Sequence, residues 1–349
     1  MKTLLRMLVV DDSRLNRERL SEIVHASGFA EVVGEAHDGA QALKLVNELT
    51  PDAIFLDLEM PRMDGFSFLR LLMSSSPTPV IVVSSFSRKE NVFRALELGA
   101  VDFVAKNDFH LFDARLRALL HAKLRLLRSV KRSKGPVIRS RTSSQKVAPA
   151  DPVASRALRH VVAIGASTGG PTAVTEVLSR LSSEADYAVL VAQHMPASFT
   201  FSFSRRLNRL SALAVKEAKD GDLVVPGSVL VCPGDFCMEL TKGPLPDNAL
   251  RVRVFRPSYG ERYVPNASRL LRSVAEGLRE RAVGVVLTGM GDDGAEGAKA
   301  IAARGGCILV ESEESAVVFG MPRATARMVP EAQVLTLSEI AAKLGCLAG

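Results

Sequence analysis

The sequence predicts an α/β protein built from two doubly wound parallel-sheet domains. Short apolar runs alternate with helical patterns five times before residue 128, and the alternation resumes after residue 158. This alternation with short connections is typical of parallel sheets covered by helices. Polar side chains also follow directly on the apolar runs, at the edge where such sheets gather functional residues. A length of 349 residues allows two to three domains, each with its own core.

The composition is that of a globular protein, with 47% hydrophobic and 24% charged residues. No apolar run reaches about 18 residues, so we do not expect a membrane-inserted chain. The N-terminal stretch runs straight into acidic residues, which favours a strand over a signal peptide. The spacing of the four cysteines matches no zinc site, and we expect reduced thiols and a cytoplasmic location.

The net charge of +7 belongs to one segment. Thirteen Lys and Arg residues lie between Arg115 and Arg159, against a single acidic residue, Asp151. Residues 129–157 have few bulky apolar side chains, which predicts a flexible basic linker between domains 1–128 and 158–349. No nucleic-acid partner is expected, because neither half shows a helix-turn-helix or an aromatic-basic pattern.

The first domain contains five apolar strand patterns, each followed by a helical pattern. The predicted strands are Met7–Val10, Glu31–Ala36, Ala53–Leu56, Val80–Val83 and Val101–Ala105. The predicted helices are Arg14–His25, Ala40–Glu48, Gly65–Met73, Asn91–Leu98 and Phe112–Leu127.

Polar residues at the ends of these strands indicate a phosphoryl site. Asp11, Asp12 and Asp57 bring three carboxylates to one sheet edge, and hard oxygen ligands of this kind suit Mg²⁺. Lys106 and Ser84 would complete the contacts to a phosphoryl oxygen. Any one of these Asp residues could simply cap a helix, but all five polar positions fall at successive strand ends.

The segments that carry these residues resemble a two-component receiver domain. They are VVDDS at 9–13, LDLEMPRMDG at 56–65, VVSS at 82–85 and DFVAK at 102–106. The resemblance implies a flavodoxin-like fold in which a histidine kinase phosphorylates Asp57. It also implies that Asp11, Asp12 and Asp57 hold Mg²⁺ and that Lys106 contacts the phosphoryl group. Ser84 and Phe103 would form the switch pair.

The second domain opens on a strand, Val161–Ile164, that leads into a glycine-rich turn containing Ser167. Gly165-Ala-Ser-Thr-Gly169 fits the G-x-S-x-G nucleophile pattern, although such a turn could also hold a phosphate. The later predicted elements are helices Thr172–Leu181, Ser198–Asn208 and Pro265–Leu278 and strands Tyr187–Ala192 and Ala282–Leu287. Turn signals between Ala214 and Val254 predict short strands in antiparallel hairpins.

Ser167, His194 and the pair Asp292-Asp293 each follow one of these buried strands. The three strand ends meet at one sheet edge, where a serine nucleophile, a base and an orienting acid could act together. His194 is the better base, because His160 lies at the amino end of its strand. The order Ser, His, Asp differs from that of α/β-hydrolases, so the G-x-S-x-G match does not indicate that fold.

Four segments of this domain resemble the catalytic domain of chemotaxis protein-glutamate methylesterases. They are GASTGGP at 165–171, QHMP at 193–196, LTGMGDDG at 287–294 and GMPR at 320–323. The resemblance implies a Rossmann-like three-layer fold that hydrolyses glutamate γ-methyl esters on chemoreceptor helices, releasing methanol, and deamidates receptor glutamines.

The same resemblance implies roles for individual residues. Ser167 would be the nucleophile, His194 the base and Asp293 the orienting acid, with Asp293 preferred over Asp292 by its place in the motif. The amide of Met290 would stabilise the oxyanion, and Thr168 would line the site. No cofactor is implied for the esterase reaction.

Two stretches depart from the family pattern, at Cys237 and at Arg262–Ser268, and we expect both near the substrate rather than in the triad. The receiver implies regulation, in which the unphosphorylated domain covers the Ser167 edge and phosphorylation uncovers it. The alternatives are a response regulator with a DNA-binding output and one with a non-catalytic nucleotide-binding output.

Overall fold

The computed structural model describes residues 4–84, 89–106, 114–127, 157–243, 249–258 and 260–347. The chain divides into two compact units, Met1–Thr142 and Ser143–Gly349. The predicted linker, apart from residue 157, lies outside the described residues. Each unit is an α/β domain, so the predicted fold class is confirmed.

The first unit is a five-stranded parallel sheet in the order β2-β1-β3-β4-β5, with helices between the strands. Its strands are β1 Leu5–Val10, β2 Ala30–Ala36, β3 Ala53–Asp57, β4 Val80–Ser84 and β5 Asp102–Ala105. Its helices are α1 Arg14–Ala26, α2 Gly39–Leu49, α3 Gly65–Ser75, α4 Lys89–Glu97 and α5 Ala114–Leu127. This strand order is that of flavodoxin-like sheets.

The central strand β3 is buried at all five positions, as expected of a parallel strand covered on both faces. Asp38 and Asp64 cap α2 and α3 by accepting hydrogen bonds from backbone N–H groups one turn into each helix. The strands therefore end at defined positions, and their last residues meet at one edge.

The second unit is a seven-stranded parallel sheet in the order β14-β13-β12-β6-β7-β9-β8, with a separate two-stranded sheet β10-β11. Its strands are β6 His160–Ala166, β7 Tyr187–Gln193, β8 Ala214–Glu217, β9 Ser228–Val231, β10 Cys237–Lys242, β11 Leu250–Phe255, β12 Ala282–Val286, β13 Cys307–Glu311 and β14 Gln333–Leu335. Its helices are α6 Gly170–Leu178, α7 Ala197–Leu210, α8 Ala267–Leu278, α9 Ala295–Ala302, α10 Met321–Met328 and α11 Leu337–Gly345.

The prediction of antiparallel hairpins across Ala214–Val254 is wrong for its first half. Strands β8 and β9 pair in parallel and extend the main sheet, while β10 and β11 form the antiparallel hairpin. The connection between β8 and β9 contains Gly221 and Gly227, both at positive φ. Two chain reversals between the strands return the chain to its original direction, so turn signals alone did not give the pairing.

Candidate functional sites

The candidate active site lies at the carboxyl ends of three adjacent strands, β12, β6 and β7. Val286 of β12 pairs with Gly165 of β6, and Ala166 of β6 pairs with Gln193 of β7. Ser167 follows Ala166 and His194 follows Gln193, so the two residues leave their strands side by side. The His194 N–H donates to Ala166 O over 2.9 Å. The predicted strand-end arrangement of Ser167 and His194 is what the structure has.

Ser167 sits on a tight turn between β6 and α6. Its N–H donates to Thr288 O over 3.0 Å, and the Gly170 N–H donates to Ser167 O over 2.8 Å. Gly169 adopts a φ of 76°, a conformation that favours glycine, directly before the helix. The half-buried Ser167 has no hydrogen-bond partner for Oγ among the described residues, so the hydroxyl is available to a substrate.

Gln193 holds the nucleophile turn to the segment that carries His194. Its buried side-chain amide donates from Nε2 to Ser167 O over 2.8 Å and to His194 O over 3.1 Å. No role was predicted for Gln193, although its position before His194 at a buried strand end was a usable signal. Gln193 fixes the backbone of both neighbours.

His194 and Asp293 are hydrogen-bonded, with Nε2 of the imidazole 2.9 Å from Asp293 Oδ2. The Asp293 side chain is 1% exposed and also accepts backbone N–H groups of Ala267, Ser268 and Gly294 at 2.7, 2.8 and 2.8 Å. Burial raises the pKa of Asp293, but the His194 interaction and the backbone donors outweigh it, and the net shift is downward.

Because its pKa is lowered, Asp293 is a carboxylate at neutral pH. This charge state determines which nitrogen of His194 can act as a base. A carboxylate only accepts hydrogen bonds, so Nε2 carries the proton that Asp293 binds. In the neutral imidazole, Nδ1 is then the nitrogen with a free lone pair. The arrangement can therefore take a proton at Nδ1 while Asp293 stabilises the charge that develops on the ring.

Asp292 lies on the outer side of this pair, with its side chain 56% exposed. It accepts a hydrogen bond from the Tyr263 hydroxyl over 2.8 Å, and the Tyr263 ring stacks on His194. The stretch around Tyr263 was expected near the substrate, and the structure places Tyr263 against His194 itself. Cys237, from the other divergent stretch, is buried at the start of β10.

Thr288 joins the nucleophile turn to the loop after β12. Its hydroxyl donates to Thr168 O over 2.9 Å, and its N–H donates to the Glu311 carboxylate over 2.7 Å. Thr168, the residue after Ser167, is buried. Met290, two residues after Thr288, is 39% exposed, and its N–H has no acceptor within the described ranges. This N–H is therefore available to an anion.

The second candidate site lies at the carboxyl edge of the first sheet. Asp11, Asp12 and Asp57 can bring one oxygen each within 4.8 Å of one another. Lys106 Nζ lies 2.5 Å from Asp57 Oδ2 and 3.0 Å from Asp11 Oδ2. Burial raises the pKa of Asp57 to about 6, with Lys106 opposing the shift and Asp11 adding to it.

This cluster suits a divalent cation on chemical grounds. Three carboxylates and one ammonium leave a charge of about −2 when all are ionised, and two of the carboxylates are buried. Hard oxygen donors that keep room for water and a phosphoryl oxygen are the set that Mg²⁺ prefers. The donor set therefore fits the predicted ion.

The predicted switch residues lie on the neighbouring strands. Phe103 is buried in β5 and pairs with Val82 of β4. Ser84 ends β4 opposite Ala105, and its side chain lies outside the described part of the structure.

Among the described helices, none has the length and apolar character needed to cross a membrane.

These features define a class of protein in which a receiver domain precedes a Rossmann-like domain with Ser, His and Asp at one sheet edge. Residues 162–344 match the CheB methylesterase family, and residues 7–116 match the response regulator receiver domain. The chain belongs to the CheB methylesterase family.

Similar proteins share this architecture over nearly their full length. Protein-glutamate methylesterase/protein-glutamine glutaminase 6 of Anaeromyxobacter dehalogenans is 46% identical, covering 97% of this chain and 95% of that protein. Protein-glutamate methylesterase/protein-glutamine glutaminase 1 of Myxococcus xanthus is 44% identical, covering 99% and 98%. The crystal structure of the Thermotoga maritima CheB methylesterase catalytic domain is 35% identical with a TM-score of 0.51, covering 54% of this chain and 98% of that one. The alternatives with a non-catalytic DNA- or nucleotide-binding output are not supported, and the chain is an ester and amide hydrolase.

Proposed function

We propose that this enzyme removes methyl groups from glutamate γ-methyl esters on chemoreceptor cytoplasmic helices, and that Ser167, His194 and Asp293 carry the reaction. The observation that supports this most directly is the hydrogen bond between His194 Nε2 and a buried Asp293 carboxylate. Ser167 follows the end of the adjacent strand β6, which pairs with β7 up to the residue before His194. Substrate helices of this kind place the enzyme in the cytoplasm.

The first half of the reaction is acyl transfer to Ser167. The hydroxyl gives its proton to His194 Nδ1 as Oγ bonds to the ester carbonyl carbon. Asp293 stabilises the imidazolium that results. Nδ1–H then protonates the methoxy oxygen, the carbon–oxygen bond breaks, and methanol leaves a glutamyl ester on Ser167.

The oxyanion of each tetrahedral intermediate would lie against the loop that follows β12. The free N–H of Met290 is the proposed donor, and the Thr288 contacts to Ser167, Thr168 and Glu311 hold that loop beside the nucleophile turn. Removing one donor of this kind typically lowers kcat by about 10²–10³. Thr168 would line the site below the reacting carbon.

The second half is hydrolysis of the glutamyl enzyme. A water molecule gives a proton to His194 Nδ1 and attacks the carbonyl carbon, after which Ser167 leaves and regains a proton. The product is a free glutamate side chain. A receptor glutamine would follow the same steps with ammonia as the leaving group, which agrees with the glutaminase activity in the relatives' names.

The receiver domain would supply control. We propose that Asp57 accepts a phosphoryl group from a histidine kinase and that Asp11, Asp12 and Asp57 hold Mg²⁺. The ion, when bound, would neutralise the charge of the incoming phosphoryl group. Lys106, which burial makes less basic but Asp57 and Asp11 make more basic, has a net raised pKa and stays charged to contact that group. Ser84 and Phe103 would respond to phosphorylation as the switch pair.

The triad is tested by methanol release from receptor membranes that carry a labelled methyl group. Ser167→Ala should abolish release above background, because the substitution removes the proposed nucleophilic oxygen. Ser338→Ala is the matched control, since Ser338 lies on the surface and its hydroxyl accepts a hydrogen bond from Arg180. Equal release by wild type and Ser167→Ala would remove the triad from consideration.

A further inference from the structure

Tyr263 contacts both His194 and the loop that carries Asp292 and Asp293. Its ring lies 5.4 Å from the His194 ring, centroid to centroid, with an interplanar angle of 8°. Its hydroxyl donates to Asp292 Oδ1 over 2.8 Å, and Asp292 precedes the residue that holds His194 Nε2. The Arg262 guanidinium covers the ring at 4.9 Å and pairs with Asp292 at 3.4 Å.

The loop is shaped to receive this tyrosine. Gly291 adopts a φ of 91°, and a Cβ built there would collide with the Tyr263 hydroxyl. Burial and the bond to Asp292 raise the pKa of Tyr263, so the hydroxyl remains a donor at neutral pH. The tyrosine, the glycine and the aspartate therefore form one packed unit beside His194.

The hydrogen bond to Asp293 does not by itself fix the orientation of the His194 ring. A hydrogen bond at Nε2 fixes one atom of the imidazole, and the ring can still pivot about the line from Nε2 to Asp293. A parallel aromatic plane on one face opposes that pivot, because turning the ring would break the stack.

We propose that Tyr263 is a positioning residue that keeps His194 Nδ1 aimed at Ser167, with Asp292 anchoring the tyrosine. The proposal rests on the triad described above. It assigns the stack, and not a contact with substrate, as the role of Tyr263. A base held at the wrong angle lowers the rate of proton transfer without changing how the receptor helix binds.

The test measures kcat and KM for methanol release from labelled receptor membranes, using the full chain. Tyr263→Ala should lower kcat by about 10-fold or more with KM within about 2-fold of wild type. Tyr263→Phe keeps the stack and loses only the anchor, so it should recover most of kcat. Phe255→Ala is the control, because it removes a ring of β11 that lies under Arg253 of the same strand and Arg269 of α8.

Each outcome decides the matter, provided that thermal unfolding shows the variants to be folded. A wild-type kcat in Tyr263→Ala contradicts the proposal. So does a rise in KM alone, which would make Tyr263 a substrate contact, and so does a loss in Tyr263→Phe as deep as in Tyr263→Ala. Ser167→Ala in the same assay separates the two ideas. If Ser167→Ala is inactive while Tyr263→Ala keeps the wild-type kcat, only the positioning role fails.

Discussion

At the scale of single residues, Asp292 and Asp293 are neighbours with opposite environments. Asp293 is buried and holds His194 and three backbone N–H groups, while Asp292 faces outward and binds Tyr263 and Arg262. The choice of Asp293 from the motif agrees with this geometry. The sequence could supply the three strand-end residues because a buried strand defines where its last side chain lies.

Tyr263 could not be found in the same way. It lies in the segment between β11 and α8, which has no hydrophobic periodicity to give it a position. Gln193 is intermediate, since its location at the end of β7 was predictable but its contacts with Ser167 and His194 were not. Side-chain networks depend on packing between elements that are distant in the sequence.

The buried Glu311 carboxyl predicts that the stability of the second unit depends on pH. Burial raises the pKa of this carboxyl to about 7, with the Thr288 N–H and the Ser315 hydroxyl opposing the shift and Glu176 adding to it. Between about pH 4.5 and 7, the folded chain keeps a proton that the unfolded chain has lost. The free energy of unfolding therefore falls as the pH rises through this window, by roughly 3 kcal/mol for a shift of this size.

We expect Glu311→Gln to remove this dependence. The variant should gain melting temperature relative to wild type between pH 5 and pH 8, as measured by thermal unfolding of the full chain. Glu331→Gln, at an exposed position, should follow the wild-type profile. A constant difference between Glu311→Gln and wild type at all pH values would contradict the raised pKa.

At the scale of elements, most strands and helices followed from periodicity, because parallel strands buried on both faces read as continuous apolar runs. Helix α6 was predicted two residues late at its start, and α4 likewise. Strands β8 and β9 were given the wrong direction, since pairing depends on the path of the connection and not on the strand pattern. No elements were predicted from the sequence in the last part of the chain, where β14 is short and exposed at two of its three residues.

The start of α6 is tightly packed against the site. A Cβ at Gly170 would collide with Gln193 Oε1 and approach the Ala166 Cβ to 2.9 Å. Gly170→Ala should therefore destabilise the fold by about 1–3 kcal/mol and lower kcat, because Gln193 would release Ser167 and His194. Gly345→Ala, at the end of α11 with open space around its Cα, should be neutral or stabilising by up to about 1 kcal/mol. Chemical unfolding and the methanol assay together check both, and equal stability of the two variants would contradict the packing argument.

At the scale of the whole molecule, two units with separate cores carry the two proposed chemistries, phosphoryl acceptance at Asp57 and ester hydrolysis at Ser167. Neither of these two hydrophobic core clusters contains a residue from the other unit. We propose that phosphorylation changes the esterase rate by shifting the population of states in which receptor helices reach Ser167. Activity measurements show whether the receiver lowers or raises the esterase rate.

We expect inhibition by the unphosphorylated receiver. Deleting residues 1–157 should raise methanol release in the absence of a phosphodonor, because it removes the inhibiting receiver. The remaining unit keeps its sheet and all three proposed triad residues. A small phosphodonor with Mg²⁺ should stimulate the full chain, and either Asp57→Asn or chelation of the metal should abolish that stimulation while leaving the basal rate intact. The deleted form should not respond to phosphodonor at all. If its rate equals or falls below that of the untreated full chain, the receiver does not restrain the esterase, and phosphorylation must act by improving substrate binding instead.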